Sequence, residues 1–392
     1  MKPLITPAEA TGIITSSFPD PKTEFISLNE ASLNPGRVLA TDIFADRDAP
    51  PFDRVMMDGI CINTYNHVLG SWRYKIIGTQ AAGAAKMLLP KGEFAIEVMT
   101  GAPLPTDANA VIPVEKIDIV DGYALPHDGI TVDDLQFVHL QGTDGKQGDT
   151  VLQKNILLNA AELATAASVG ADQLEVYKLP EIHLITTGDE VIEPHETPTD
   201  YQIRRSHPAA IKSLINSDRL GHITDQHLPD DPDLIEEAIK EALTKQDILI
   251  LTGGISMGKY DWVAPLLEKL LGDPAFHGIA QKPGKPFAYW KPTDITPPVF
   301  ALPGNPVSVM ATMHRYVLPT LNQKSNKSRP LAKSFEWKSP FTGILPYRET
   351  NGSITIQPPK NSGDYMALIG YDGFVEIPPH SSLLSGDILA CF

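Results

Sequence analysis

LTGGISMGKYD, residues 251–261, is followed by two further turns of the same kind, KPGKP at 282–286 and LPGNPVS at 302–308. Each lies beside an apolar run that predicts a buried strand: DILILT at 247–252, PFAYW at 286–290 and PVFAL at 298–302. Gly253, Gly254 and Gly258 let backbone N–H groups converge on an anion that a β-carbon would hold off. Ser256 and Gly284, with Pro303, Gly304 and Asn305, complete the three turns. Lys282 and Lys285 add fixed positive charge, and Asp261 is placed to hold a cation. Loops beyond the carboxyl ends of strands are where open α/β sheets bind ligands. Three such turns in one window point to a ligand that carries phosphate.

Working outward, strand EIHLIT (181–186) leads through a loop to a helix with Pro208 near its start and Ile211, Leu214 and Ile215 on one face. HITDQHL follows as a strand, and Asp231-Pro232 opens the next helix, a cap with proline at the first position. Leu234, Ile235, Ala238, Ile239, Ala242 and Leu243 give that helix an apolar stripe. WVAPLLEKLLG and VSVMATMHRYVL are the remaining helices, the second opened by Asn305-Pro306. This alternation predicts an open, mostly parallel, doubly wound sheet over residues 178–325. Residues 326–392 carry short strands (SITIQP, GFVEIP, DILACF) between Gly/Pro turns and predict a small β domain.

The first half of the chain reads differently. PAEATGIITSSF (7–18) predicts a helix with proline in its first turn, and NPGRVLATDIFA a turn followed by a strand. Short alternating runs such as YKIIG, FAIEVM and AVIPVE mark residues 58–135 as a small all-β unit. It is inserted, because NAAELATAASVG (159–170) returns to a helical pattern; the flanking region is then 1–57 with 136–177.

Composition narrows the function. A chain of 392 residues with 42% apolar and 20% charged content is an ordinary multidomain globular protein. A formal charge of −16 argues against nucleic acid or an anionic membrane as partner. Cys61 and Cys391 are too few for a disulfide framework, and no run approaches a transmembrane span, so a cytoplasmic location is expected. Neither cysteine sits in a signalled site and no G-x-S-x-G occurs, which disfavours a nucleophilic hydrolase.

Several acidic positions carry two readings. TGDE at 187–190 ends strand EIHLIT on the sheet edge of the LTGG loop. Adjacent carboxylates facing a phosphate site imply a cation such as Mg²⁺ between them; alternatively Asp189 caps a helix. Asp58 in PPFDRVMMDG and Thr100 in VMTGAPLP read as turn residues when taken alone. Asp144 in QGTDGKQGD is either a loop cap or a second-site carboxylate.

Taken in order, PPFDRVMMDG, VMTGAPLP, QGTDGKQGD, TTGDE, LTGGISMGKYDW, KPGKPFAYW and LPGNPVSV resemble the molybdopterin molybdenumtransferases, the family of the bacterial MoeA proteins and the gephyrin E domain. The resemblance implies an elongated four-domain subunit in a homodimer, its last domain a C-terminal β barrel. It further implies insertion of molybdate into adenylylated molybdopterin with Mg²⁺-dependent release of AMP, and the molybdopterin adenylyltransferase as a partner. By the same resemblance Asp58, Thr100 and Asp144 serve the site from the N-terminal region, and Glu190, Asp230, Asp261, Lys282 and Lys285 from the α/β domain. Glu190, Asp230 and Asp261 would hold the metal, and Ser362 comes from the C-terminal unit. Three segments depart from the family pattern: Val55 where serine is usual, Phe137 and His139 where Asn and Arg are usual, and Arg204–His207 in place of Tyr-Asp-Thr-Asn or Tyr-Asp-Ser-Asn. Arg204 and Arg205 are expected to act as substitute anion contacts. The alternatives to an active transferase are a paralogue that only binds molybdopterin or its nucleotide, and a gephyrin-like scaffold.

Overall fold

A computed structural model describes residues 4–66, 72–255, 261–322, 327–363 and 365–392. The chain divides into two compact units, Met1–Lys22 with Lys178–Phe392, and Thr23–Tyr177. Helix α1 (Pro7–Ser17) opens the first unit. The Thr6 side chain accepts from the Glu9 N–H while Glu9 reaches back to the Thr6 N–H, a capping box that fixes where the helix begins. Ala10 and Ile14 point into the core of the α/β sheet, so α1 is part of that domain although it precedes it by a whole unit of sequence.

The second unit has two parts. Strand Thr23–Ser27 pairs antiparallel with Gln173–Tyr177, and helices Leu28–Leu33 and Ala160–Ser168 supply Ala31 and Ala166 to the small core beside them. The NPGRVLATDIFA segment is not one strand. It makes single bridges at Val38–Leu157 and Leu39–Val176, and only Ile43–Phe44 forms a ladder, because its backbone groups are divided between two neighbouring segments. The other part is a six-stranded sheet of β1 (Gly59–Ile62), β2 (Tyr74–Gln80), β3 (Phe94–Val98), β4 (Ala110–Pro113), β5 (Ile117–Val120) and β6 (Tyr123–Pro126). Its order is β4-β1-β3-β2-β6-β5, with one parallel pair, β2 and β3.

In the first unit β7 (Glu181–Thr187), α2 (His207–Ser217), β8 (His222–Leu228), α3 (Pro232–Lys245), β9 (Ile248–Thr252) and α4 (Val263–Leu271) alternate as the sequence predicts. β10 (Phe276–His277), β11 (Gln281–Lys282), β12 (Ala288–Trp290), β13 (Val299–Leu302) and α5 (Pro306–Thr312) follow. The sheet runs β8-β7-β9-β13-β12-β10; its first four strands are parallel, while β12 and β10 pair antiparallel. Alternate residues divide between two cores. Ile182, Leu184, Ile250, Phe300 and Leu302 meet Ile14, Ile211 and Val309 on one face; Ile185, Leu249, Leu251 and Ala301 meet Ile235, Ile239, Val263 and Leu267 on the other. Each fully buried Ile or Leu contributes roughly 1.5–3 kcal/mol, so two apolar faces per strand hold this sheet rigid. The strands β14 (Lys327–Pro330), β15 (Thr342–Thr350), β16 (Ser353–Ile356), β17 (Gly373–Ile377) and β18 (Ile388–Cys391) form the last sheet, ordered β11-β15-β17-β18-β14 with β16 on β15. Its long central strand β15 contains Pro346 and was not predicted; the proline interrupts the alternating pattern without breaking the pairing with β17.

Candidate active site

Strands β7, β9 and β13 end together, since Thr186 pairs with Thr252 and Thr252 with Leu302. TGDE, LTGG and LPGNP therefore leave the sheet along one edge. β12 runs the other way, with Ala288 opposite Ala301, so the KPGKP turn that precedes it lies on that same edge. The loops touch through their backbones. Gly253 has φ +93°, and a β-carbon there would lie 3.0 Å from the Thr187 carbonyl oxygen and 3.1 Å from its Oγ1. Glycine is required at this position on both counts. Gly304 packs against Gly253, its own absent β-carbon 3.7 Å from the Gly253 Cα. Ser256 and Gly258 lie outside the described residues.

The carboxylates collect at the β7 and β8 ends. Glu190 folds back over Gly188, whose β-carbon would fall 2.7 Å from Glu190 Oε2. Asp189 Oδ1 accepts the Asp230 backbone N–H at 3.0 Å, tying the TGDE loop to the end of β8. Asp189 thus caps a neighbouring loop; the cap of α3 is Asp231, which accepts from Asp233 and Leu234. Burial, and then the charges of Asp189, Glu190 and Asp261, push the Asp230 carboxyl above the usual range, against a bond it accepts from the Asp189 backbone N–H. These hard oxygen donors fit Mg²⁺ in kind. Among the described residues no group of three or more His, Cys, Asp or Glu side chains is gathered tightly enough to hold a metal ion.

The KPGKP turn is held from below by residues that the sequence did not single out. Gln281, buried, donates from Nε2 to the Pro283 carbonyl at 3.0 Å and accepts from the Tyr316 hydroxyl. Gly284 (φ +92°) sits against Gln281 and Thr312, where a side chain would collide. Lys282 and Lys285 are exposed, with Lys285 Nζ 5.6 Å from the centre of the Phe341 ring. The Ser362 carbonyl accepts the Val307 N–H at 2.9 Å, which brings Ser362 beside the start of α5 and Asn305.

Arg205 is not an anion contact. Its guanidinium, 10% exposed, pairs with Asp225 at 2.6 Å and Glu193 at 3.1 Å, and donates to Thr186 Oγ1 at 3.0 Å. Burial opposes the Asp225 charge, but Lys212 and Arg205 together hold its carboxyl below the usual range. Arg204 donates to the Glu196 carbonyl at 3.3 Å. The two arginines therefore fasten the segment after TGDE. His207 packs, half-buried, against Thr252, its Nδ1 3.3 Å from Thr252 Oγ1, and desolvation lowers its pKa to about 4. Beside it the Tyr365 hydroxyl is buried with no hydrogen-bond partner among the described residues.

The second unit brings Asp58, Thr100 and Asp144 to either side of one short strand, Arg54–Val55. Gly59 pairs with Val98, which sets Asp58 near the end of β3. There Asp58 Oδ1 accepts the Thr100 N–H at 2.6 Å and the Thr100 hydroxyl at 2.8 Å. These two donors, the backbone one foremost, hold the exposed Asp58 carboxyl below its ordinary value. On the other side Val138–His139 pairs with Arg54–Val55, and His139 Nε2 lies 2.9 Å from Asp144 Oδ1. Val55 turns into the apolar core with Cys61, Ile96 and Val98, so its departure from serine leaves the polar groups untouched. Both cysteines are buried and unpaired, and burial drives the Cys61 thiol far above its ordinary pKa, which removes it as a nucleophile.

Residues 5–170 match the family described as MoeA N-terminal region (domain I and II), and residues 183–323 match the one described as probable molybdopterin binding domain. The α/β unit is thus of the molybdopterin-binding class. The molybdopterin molybdenumtransferase of Synechocystis sp. is 35% identical over 352 residues, covering 88% of this chain and 89% of the relative. That of Haemophilus influenzae is 30% identical over 86% of this chain and 80% of its own. A crystal structure of the molybdopterin biosynthesis MoeA protein from Pyrococcus horikoshii superposes with a TM-score of 0.83 at 27% identity, covering 99% of this chain and 98% of that one. The chain belongs to the molybdopterin molybdenumtransferase family.

Proposed function

We propose that this protein is a molybdopterin molybdenumtransferase of molybdenum cofactor biosynthesis, which inserts molybdate into adenylylated molybdopterin and releases AMP. The observation that carries this is the shared strand edge, where glycine loops, two lysines and a carboxylate group meet. Gly253, Gly254 and Gly304 allow a phosphate to approach the backbone, and Lys282 and Lys285 offset its charge. Glu190, Asp230 and Asp261 would hold Mg²⁺, whose role when bound is to neutralise charge on the pyrophosphate. The repulsion that raises the Asp230 pKa is what a cation would relieve. Hydrolysis breaks a bridging P–O bond as water oxygen bonds to phosphorus, and the displaced oxygen leaves with one of the two phosphates. Positioning and charge compensation suffice for that step, with no protein nucleophile.

Asp58, Thr100 and Asp144 complete the machinery in this reading, and Ser362 joins it from the C-terminal unit. The functional unit is a homodimer in the cytoplasm, receiving its nucleotide from the molybdopterin adenylyltransferase. We read the sequence as four domains, with the six-stranded sheet of the second unit as the insertion at 58–135 and the final sheet as the family's β barrel. The test is to incubate the purified chain with adenylylated molybdopterin, molybdate and Mg²⁺ and to measure AMP. Mg²⁺-dependent AMP release is expected. Tight nucleotide binding without release would make the chain a binder only.

A further inference from the structure

Arg54, His139 and Asp144 stand in a line. His139 and Arg54 are cross-strand partners, which sets imidazole and guanidinium side by side. Arg54 Nη2 lies 3.2 Å from His139 Nδ1, and His139 Nε2 lies 2.9 Å from Asp144 Oδ1. Arginine offers only donors, so Nδ1 accepts and the ring proton is on Nε2. An ionised carboxylate offers only acceptors, so Asp144 selects the same neutral tautomer from the other end. The two neighbours agree.

The loop beneath is already fixed. Asp144 and Gly145 donate their N–H groups to the Ala49 carbonyl at 2.9 and 3.2 Å, and Ala49 donates to the Gly145 carbonyl at 3.0 Å. Asp53 accepts the Gln141 N–H at 2.9 Å, and Asp48 accepts the Gln147 N–H at 3.0 Å. What the backbone leaves undetermined is the rotation of the exposed Asp144 carboxylate, and the His139 N–H acts on that.

We propose that His139 is a positioning residue for Asp144, its tautomer locked by Arg54. The proposal rests on the reading that Asp144 serves the transfer reaction, and it makes Arg54 and His139 part of the supporting structure. A group that orients a reacting side chain changes turnover more than substrate affinity, typically by about 10- to 100-fold.

Two measurements on the full-length protein test it. The first is ¹⁵N NMR of histidine-labelled protein without nucleotide, with the His139 signals assigned by their loss in His139→Gln. The Nε2-protonated tautomer is expected in the wild type and in Asp144→Ala, where Arg54 alone selects it, and a mixture of tautomers only when Arg54→Met is added to Asp144→Ala. An Nδ1-protonated His139 in the wild type, or a mixture of tautomers already in Asp144→Ala, overturns the lock. The second is steady-state AMP release with melting temperatures. His139→Phe is expected to lower kcat about 10- to 100-fold with KM for the nucleotide within about twofold. His139→Gln, whose amide keeps an N–H toward Asp144, is expected to recover most of that loss. A His139→Phe enzyme with wild-type kcat, or one whose loss tracks its melting temperature and is not rescued by Gln, overturns the positioning role. Wild-type turnover tests the proposed function first, and the tautomer measurement decides the lock whether or not turnover is seen.

Discussion

The two units hold their carboxylates by opposite means. In the second unit Asp58 is fully exposed, and two donors from Thr100 stabilise its charge and lower its pKa. In the first unit Asp230 is part-buried among Asp189, Glu190 and Asp261, and its pKa rises. One carboxylate is finished by the protein itself; the other is left in a field that a cation would complete. The backbones differ in the same sense. The α/β edge is built by glycine approach between loops, as at Gly253 and Thr187, whereas the Asp58 and Asp144 sites are built by side-chain hydrogen bonds across short strands. In the proposed function the first-unit acid would serve a metal and Asp58 would act without one, and their environments differ in that same sense.

The most severe break in this comparison is Glu190→Gln. The side chain keeps its size while the cation-facing charge is lost, so AMP release is expected to fall about 100-fold or more, with folding intact. Near-wild-type release at saturating Mg²⁺ would show that the carboxylate group at the β7 end does not hold the metal. Next in size is Lys282→Ala, expected to weaken nucleotide binding by about 10- to 100-fold, the worth of a charge-assisted hydrogen bond. Lys285→Ala is expected to cost less, because its ammonium is already drawn over Phe341. Calorimetry that ranks the two the other way would mean Lys285 leaves the ring when nucleotide binds.

Much of the first unit was readable from sequence because its signals are redundant. Apolar strands, a proline-opened helix and a glycine turn recur along it, and each strand end points to the same sheet edge. The inserted sheet was readable as β structure but not in its order, since the parallel pairing of β2 with β3 depends on contacts between distant segments. Arg205 was misjudged for a similar reason. Two adjacent arginines near a phosphate site look like anion contacts, but Asp225 and Glu193, which engage Arg205, are set beside it only by folding. Gln281 and Tyr316 carried no sequence signal at all, being a buried polar pair 35 positions apart.

A smaller effect is expected from Thr100→Val, which removes one of the two donors to Asp58 and keeps the backbone one. Turnover should drop about 3- to 10-fold, in keeping with the loss of one solvent-exposed hydrogen bond to a carboxylate that keeps its backbone donor. The Asp58 pKa should move up toward its ordinary value. Because its folded value is depressed, the stabilisation from Asp58 is present above the unfolded pKa and is lost as pH falls through the folded one. The acid limb of the rate profile should accordingly move to higher pH in the variant. A limb that stays in place would separate Asp58 from the rate.

The smallest effect should come from Asp230→Asn, and it has the opposite sign. Asp230 has a raised folded pKa, so its ionised form is less favourable in the native state than in the unfolded chain. Above the unfolded value that charge opposes folding; as pH falls through the folded pKa and then below the unfolded value, the penalty disappears. Without Mg²⁺, Asp230→Asn is therefore expected to melt slightly higher than wild type at pH 7, on the order of 1 °C, with the gain vanishing in acid. With Mg²⁺ the order should reverse, because the wild type gains stability from the bound cation and the variant gains less. Differential scanning calorimetry at neutral and acid pH, with and without Mg²⁺, resolves all four conditions. A variant that melts lower than wild type without metal would mean that the bond the Asp230 carboxylate accepts from the Asp189 backbone N–H outweighs its burial and the neighbouring charges, and the contrast with Asp58 would then disappear.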